Sequence, residues 1–119
     1  MSSRRAPGRA SDSAELRRLR EAIDILDRRI VGLLNERAEL TRSVGAEKAR
    51  LRRPIRDGGR EREVLLRVSI ANEGPTPQAD LVALYRRVIA IARALEARER
   101  ERLLHDEPEP SDGGEPPVA

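Results

Sequence analysis

From Leu19 to Val44 apolar residues return in alternating steps of four and three: Leu19, Ile23, Leu26, Ile30 and Leu33, then Leu40 and Val44, with Leu16 three residues ahead of the series. This is the a/d seam of a helix that packs lengthwise against another helix. The spacing predicts one helix from Asp12 or Ser13 to about Arg50, roughly 55 Å long at 1.5 Å per residue. Either first residue can cap it, and Glu15 stands three positions after Asp12. Gly32 and Gly45 weaken the pattern without ending it. A helix of that length is not covered by the remainder of a 119-residue chain. It calls for a partner helix from another protomer.

The rest of the chain reads as two shorter helices. Arg53-Pro54 is a break, because the residue before proline disfavours helix, and Asp57-Gly58-Gly59 is a loop whose Asp57 or Gly59 can cap the next helix. Helix two is expected from about Gly59 to Asn72, with Val64, Leu65 and Val68 inward and Ile70 and Ala71 as further inward candidates. Glu73 to Pro77 is a turn. Helix three is expected to start with Thr76 as cap and Pro77 in the first helical position. It carries Leu81, Leu84, Tyr85, Val88, Ile89, Ala92 and Leu95 at helical spacing and fades into charge after Glu96. No strand pattern or internal repeat is visible. The fold class is therefore all-α: three helices per chain, a long first helix, and an intertwined helical homodimer. The helical domain is placed at residues 12–104, between a basic tail (1–11) and an acidic Pro/Gly tail (105–119), both expected to be disordered. With no Phe, no Trp and one Tyr, the core must be aliphatic. Few domains of this size are comfortably stable on aliphatics alone, a second reason to expect dimerisation.

Composition excludes several kinds of chemistry. Without Cys there are no disulfides, thiolate nucleophiles or Cys-based metal sites. A single His, at 105, excludes a His-rich metal site. No apolar run approaches the roughly 18 residues of a membrane span, and the basic N-terminus lacks the apolar stretch of a secretory signal. The expected compartment is the cytoplasm, with no membrane partner. Arginine is dense from Arg50 to Arg62, but no aromatic residue interleaves with it for base stacking, and the net charge is only +3. Nucleic acid is therefore not an expected partner.

Three cations stand where a helix seam does not want them. Arg37 fills an a/d slot between Leu33 and Leu40, where an unpaired charge is costly to bury. Either a bound anion or a carboxylate must meet it, and an inter-chain pair with Glu36 or Glu39 is the plainer alternative. Lys48 lies eleven residues later, about three turns on. Arg20 borders the other end of the seam. Lys48 is the single lysine among 24 basic residues. Such a bias suggests a position that needs a compact ammonium with freely aimed donors rather than a planar fork, with chance as the alternative. Arg56-Asp57 and Arg60-Glu61-Arg62 read equally as a solvated helix start.

The order of these residues resembles the all-helical (AroQ-class) chorismate mutase family. The matching text is Leu19-Arg20-Glu21 with Ile23, Leu26 and Asp27; Leu33-Leu34 and Glu36-Arg37; Val44-Gly45 and Lys48; Arg53-Pro54-Ile55-Arg56-Asp57; Arg60-Glu61-Arg62; and Leu84-Tyr85 through Val88-Ile89 to Glu96. It covers residues 15 to 100. The resemblance implies a dimer of three-helix chains and the rearrangement of chorismate to prephenate in aromatic amino acid biosynthesis. It also implies an isomerase that needs no nucleophile, metal or cofactor. By resemblance Arg37, with Arg20 from the partner chain, would bind the substrate's two carboxylates. Lys48 would donate to the ether oxygen. Glu61 and the Asp57 region would receive the ring hydroxyl, and Arg60 would support the carboxylate side and orient Glu61.

Two positions depart from the best-known bacterial pattern. Glu96 stands where Gln is common, and this resembles the fungal type, which has Glu there. A carboxylate donates no hydrogen bond, so Glu96 is expected to act as the protonated acid, a form that burial and the substrate's carboxylates favour. A solvent-facing Glu96 is the alternative. Ala92 stands where Ser is common and removes one polar contact. Rival readings on the same scaffold are an isochorismate-pyruvate lyase and a 4-amino-4-deoxychorismate mutase. A reading of another class is a non-catalytic helical regulatory or assembly dimer. Small mutases of this kind dock in some cases on a shikimate-pathway synthase, and the charged tails could serve that. No fused dehydrogenase, dehydratase or synthase is visible, so a monofunctional protein is expected.

Overall fold

The computed structural model describes residues 11–106. The tails expected at 1–11 and 105–119 therefore lie almost entirely outside the described residues. Three helices run in order: α1 (Ala14–Arg50), α2 (Gly58–Ala71) and α3 (Gln78–Asp106). Among the described residues every regular element is helical, and no helix is long and apolar enough to cross a membrane. Two compact units divide the chain, one ending at Arg37 and the other beginning at Ala38.

In the first unit α1 begins where Ser13 caps it. The Ser13 hydroxyl accepts from the Leu16 amide at 3.0 Å and the Ser13 carbonyl from the Arg17 amide at 3.1 Å. Asp12, the other candidate cap, instead accepts from Arg20 Nη1 at 2.7 Å. The seam residues of this unit lie open: Leu19, Ile23, Leu26, Ile30 and Leu33 are each about half exposed or more. An apolar stripe that wide on a surface marks an interaction site.

In the second unit α1 ends in a Schellman turn. The Arg53 amide donates to the Lys48 carbonyl at 2.8 Å and the Arg52 amide to the Ala49 carbonyl at 3.1 Å. Arg52 takes the left-handed position (φ 58°) that glycine usually fills, and Pro54 comes where the helix has already stopped. Asp57 caps α2, its Oδ1 accepting from the Arg60 amide at 3.0 Å. α2 packs on α3 with Val64, Leu65 and Val68 half-buried, whereas Ile70 and Ala71 are exposed. Asn72 organises the turn to α3, donating to the Thr76 carbonyl at 3.0 Å and to Gln78 Oε1 at 2.7 Å. Thr76 is thus not the cap. Pro77, one position earlier than the helix itself, supplies the carbonyl that accepts from Leu81 at 3.0 Å. α3 does not fade after Glu96 but continues through Asp106, two residues past the expected boundary at 104.

That continuation is held by a charged cluster. Glu99 is buried at 7% exposure. Its Oε2 accepts from Arg102 Nη2 at 2.6 Å and its Oε1 from Arg42 Nε at 3.3 Å. The hydrogen bond from Arg102 chiefly, with Arg42 adding to it and burial opposing, holds the Glu99 carboxyl below its ordinary range. A depressed folded-state pKa stabilises the protein above the unfolded value and is lost as pH falls through the folded one. The melting temperature, followed by circular dichroism, is therefore expected to fall below about pH 4.3. Glu99→Gln should remove part of that acid sensitivity while lowering the melting temperature at neutral pH.

Candidate active site

The second unit brings Lys48 and Glu96 together. Lys48, in the last turn of α1, has a side-chain exposure of 17%, and Glu96, near the middle of α3, one of 11%. Lys48 Nζ donates to Glu96 Oε1 at 2.8 Å and to the Ile55 carbonyl at 2.7 Å. The solvent-facing alternative for Glu96 is thereby excluded: its whole-residue exposure is 8%. An ammonium carries three donors. Two are spent on the carboxylate and the loop carbonyl, which aim the third. A carboxylate offers two oxygens, so Oε1 serves Lys48 and Oε2 is left over.

Gly45 permits this approach. A Cβ at Gly45 would lie 2.9 Å from Glu96 Cα and 3.2 Å from its carbonyl oxygen. The obstruction is backbone, which cannot swing aside. The glycine that weakens α1's helical pattern is therefore where α1 and α3 touch. Gly45→Ala is expected to push the helices apart at Glu96 and to cost about 1–3 kcal/mol. Thermal denaturation checks the stability, and the loss of Lys48–Glu96 pairing should appear as a fall in activity exceeding that of an equally destabilised surface variant. Gly32 is the control: a Cβ there meets nothing within 4 Å.

The other expected site residues have partners of their own. Glu61, in the first turn of α2, is half-buried, and its Oε2 accepts from Arg93 Nη1 of α3 at 2.7 Å. Arg60, expected to orient Glu61, instead donates to Glu63 Oε1 at 2.9 Å. At i,i+3 on the exposed side of α2, Glu63 is the nearer acid. Asp57 is exposed and engaged in capping. Ala92 is half-buried on α3, one turn before Glu96. In the first unit Arg37 is half-buried and Arg20 pairs with Asp12 at 2.7 Å. Glu39, one of the acids considered for Arg37, takes Arg42 at 3.2 Å.

Arg93, the Ile55 carbonyl and the Glu99 cluster are parts of the site's support that sequence reasoning missed. Backbone carbonyls leave no mark in a sequence. Arg93 and Glu99 were masked by the general density of charge on α3. Their spacing from Glu96, three residues to either side and so on one helix face, was the available signal.

Lys48–Glu96 thus ties α1 to α3, and Glu61–Arg93 ties α2 to α3. The family chorismate mutase type II matches residues 19–97. The chain belongs to the chorismate mutase type II family. Among curated relatives, a bifunctional chorismate mutase/prephenate dehydratase of Aquifex aeolicus is 39% identical over 88 residues, which is 71% of this chain and 24% of that protein. One from Escherichia coli is 48% identical over 50 residues, 42% of this chain and 13% of that protein. This chorismate mutase type II chain spans about a quarter or less of the length of those relatives. Among solved structures, chorismate mutase (form II) from Thermus thermophilus superimposes with a TM-score of 0.69 at 31% identity, covering 71% of this chain and 96% of that one.

Proposed function

We propose that this chain catalyses the rearrangement of chorismate to prephenate, as a cytoplasmic homodimer. The observation that carries the reading is Lys48, held between Glu96 and the Ile55 carbonyl with one donor to spare. Chorismate is a dianion whose enolpyruvyl ether must curl over its ring before it reacts. The ether C–O bond then breaks as a C–C bond forms, and no proton, electron or water is consumed. Such a reaction asks for two things: anion clamps that hold the reactive shape, and fixed donors at the oxygen on which negative charge grows.

On this reading Arg37 and Arg20 of the partner subunit clamp the two carboxylates, as bidentate guanidinium groups suit. Lys48 donates to the ether oxygen. Glu96, through Oε1, holds Lys48 in place. Asp57 and Glu61 receive the ring hydroxyl, with Arg60 and Ala92 at the edge of the substrate. The half-exposed α1 stripe from Leu19 to Leu33 supports the dimer, because an identical stripe on a second copy would cover it. Absence of Cys fits a cytoplasmic setting.

The test is to give the purified chain chorismate, isochorismate and 4-amino-4-deoxychorismate side by side and identify products by proton nuclear magnetic resonance. Prephenate from chorismate, far above the spontaneous rate, is expected. Pyruvate from isochorismate as the faster reaction would contradict the reading.

A further inference from the structure

The pair between Glu61 and Arg93 ties the first turn of α2 to the middle of α3 at 2.7 Å, with both side chains partly buried at 20% and 34% exposure. It differs in kind from the other ion pairs of α2. Those of Arg60 and Arg67 with Glu63 lie within one helix and on its surface, where such pairs are worth little. Arg93 and Glu96 are three residues apart and share a face of α3. One turn of α3 thus carries two anchors: Glu96 holds Lys48 of α1 and Arg93 holds Glu61 of α2.

We infer that Arg93 is a positioning residue that aims Glu61 at the substrate's ring hydroxyl. The inference rests on the proposed reaction. Arg93 Nη1 occupies Glu61 Oε2, which leaves Oε1 to accept from the hydroxyl. A guanidinium on one oxygen also fixes the rotation of the carboxylate, which a half-buried glutamate at the start of a helix otherwise lacks. Arg60, the neighbour that could have done this, is turned away to Glu63. Arg93 touches Glu61 rather than the reacting atoms, so its effect passes through Glu61 alone.

The experiment measures kcat and KM for chorismate in the full chain and in Arg93→Ala, Arg93→Lys, Glu61→Gln and Arg93→Ala/Glu61→Gln, with melting temperatures alongside. Arg93→Ala is expected to raise KM roughly tenfold, the scale of one hydrogen bond to a charged group, with kcat changed less. Arg93→Lys should recover part of that loss. In the Glu61→Gln background, Arg93→Ala should add less than about twofold, because effects that pass through one residue do not add. Equal effects in both backgrounds, or a lowered melting temperature with KM unchanged, would overturn the inference. If Arg93→Ala does not fold, Arg93→Met, which keeps the stem, takes its place in the same comparison. A wild-type chain that converts chorismate while every Arg93 variant matches it sinks this inference alone. A wild-type chain without such turnover sinks the proposed reaction and this inference with it.

Discussion

Lys48→Ala is expected to lower chorismate turnover by roughly a hundred- to a thousandfold, the scale on which a single donor to developing negative charge is worth. The same substitution also has a structural consequence. Glu96, at 8% exposure, loses its cation and is left as a buried, uncompensated charge, which costs on the order of 3 kcal/mol. A fall in activity alone would therefore be ambiguous. The double variant Lys48→Ala/Glu96→Gln separates the two effects. It removes the stranded charge, so its melting temperature should recover much of the loss, while its turnover should stay as low as that of Lys48→Ala. If turnover returned with stability, Lys48 would be a structural residue. A non-catalytic helical dimer predicts that neither variant differs from wild type in any function.

The second large effect concerns sharing of the site between two chains. Arg20→Ala and Lys48→Ala are each expected to be nearly inactive as pure dimers. In a mixture refolded at equal amounts, half the dimers carry one chain of each kind. Each mixed dimer holds one site with both defects and one with none, because Arg20 reaches the other chain's Lys48. The mixture should thus recover about a quarter of wild-type activity, by the symmetry of a two-fold assembly. Size-exclusion chromatography before and after mixing confirms that dimers, and not larger species, carry the activity. Recovery near zero would show that each site is built from one chain. In the free protomer Arg20 donates to Asp12 at 2.7 Å, with the Asp12 side chain 8% exposed, so the proposed reach across the dimer requires that pair to open.

Much of the fold and part of the site were legible in the sequence, for reasons that differ by residue. The 4-3 spacing from Leu19 to Val44 specifies a helix because only a helix returns every third and fourth side chain to one face. The same stripe is left open in the structure, and the proposed dimer would cover it. Asp57 was readable as one of two candidate caps because its carboxylate can accept from an amide in the first turn, as it does from Arg60. Lys48 stood out against the arginine bias, and its partner Glu96 from the resemblance. What was not legible depended on which helices meet. Gly45 read as a flaw in α1 until the Glu96 backbone appeared 2.9 Å from its missing Cβ. Arg60 seemed the natural support for Glu61, yet side chains one apart on a helix diverge while those three apart converge, so Arg60 goes to Glu63. The support for Glu61 comes instead from Arg93, thirty-two residues away. The end of α3 could not be read from hydropathy, because Glu99 is buried by pairing with Arg42 and Arg102 rather than by apolar character.

The proposed pocket of fixed cations folds a dianion and steadies its breaking ether bond. A crystal structure of the protein with a non-reactive dicarboxylate ether bound is expected to show Lys48 Nζ about 2.9 Å from the ether oxygen, Arg37 on one carboxylate, and Arg20 of the partner subunit on the other. A ligand bound away from Lys48, with the Lys48–Glu96 pair closed and Arg37 facing bulk water, would contradict it.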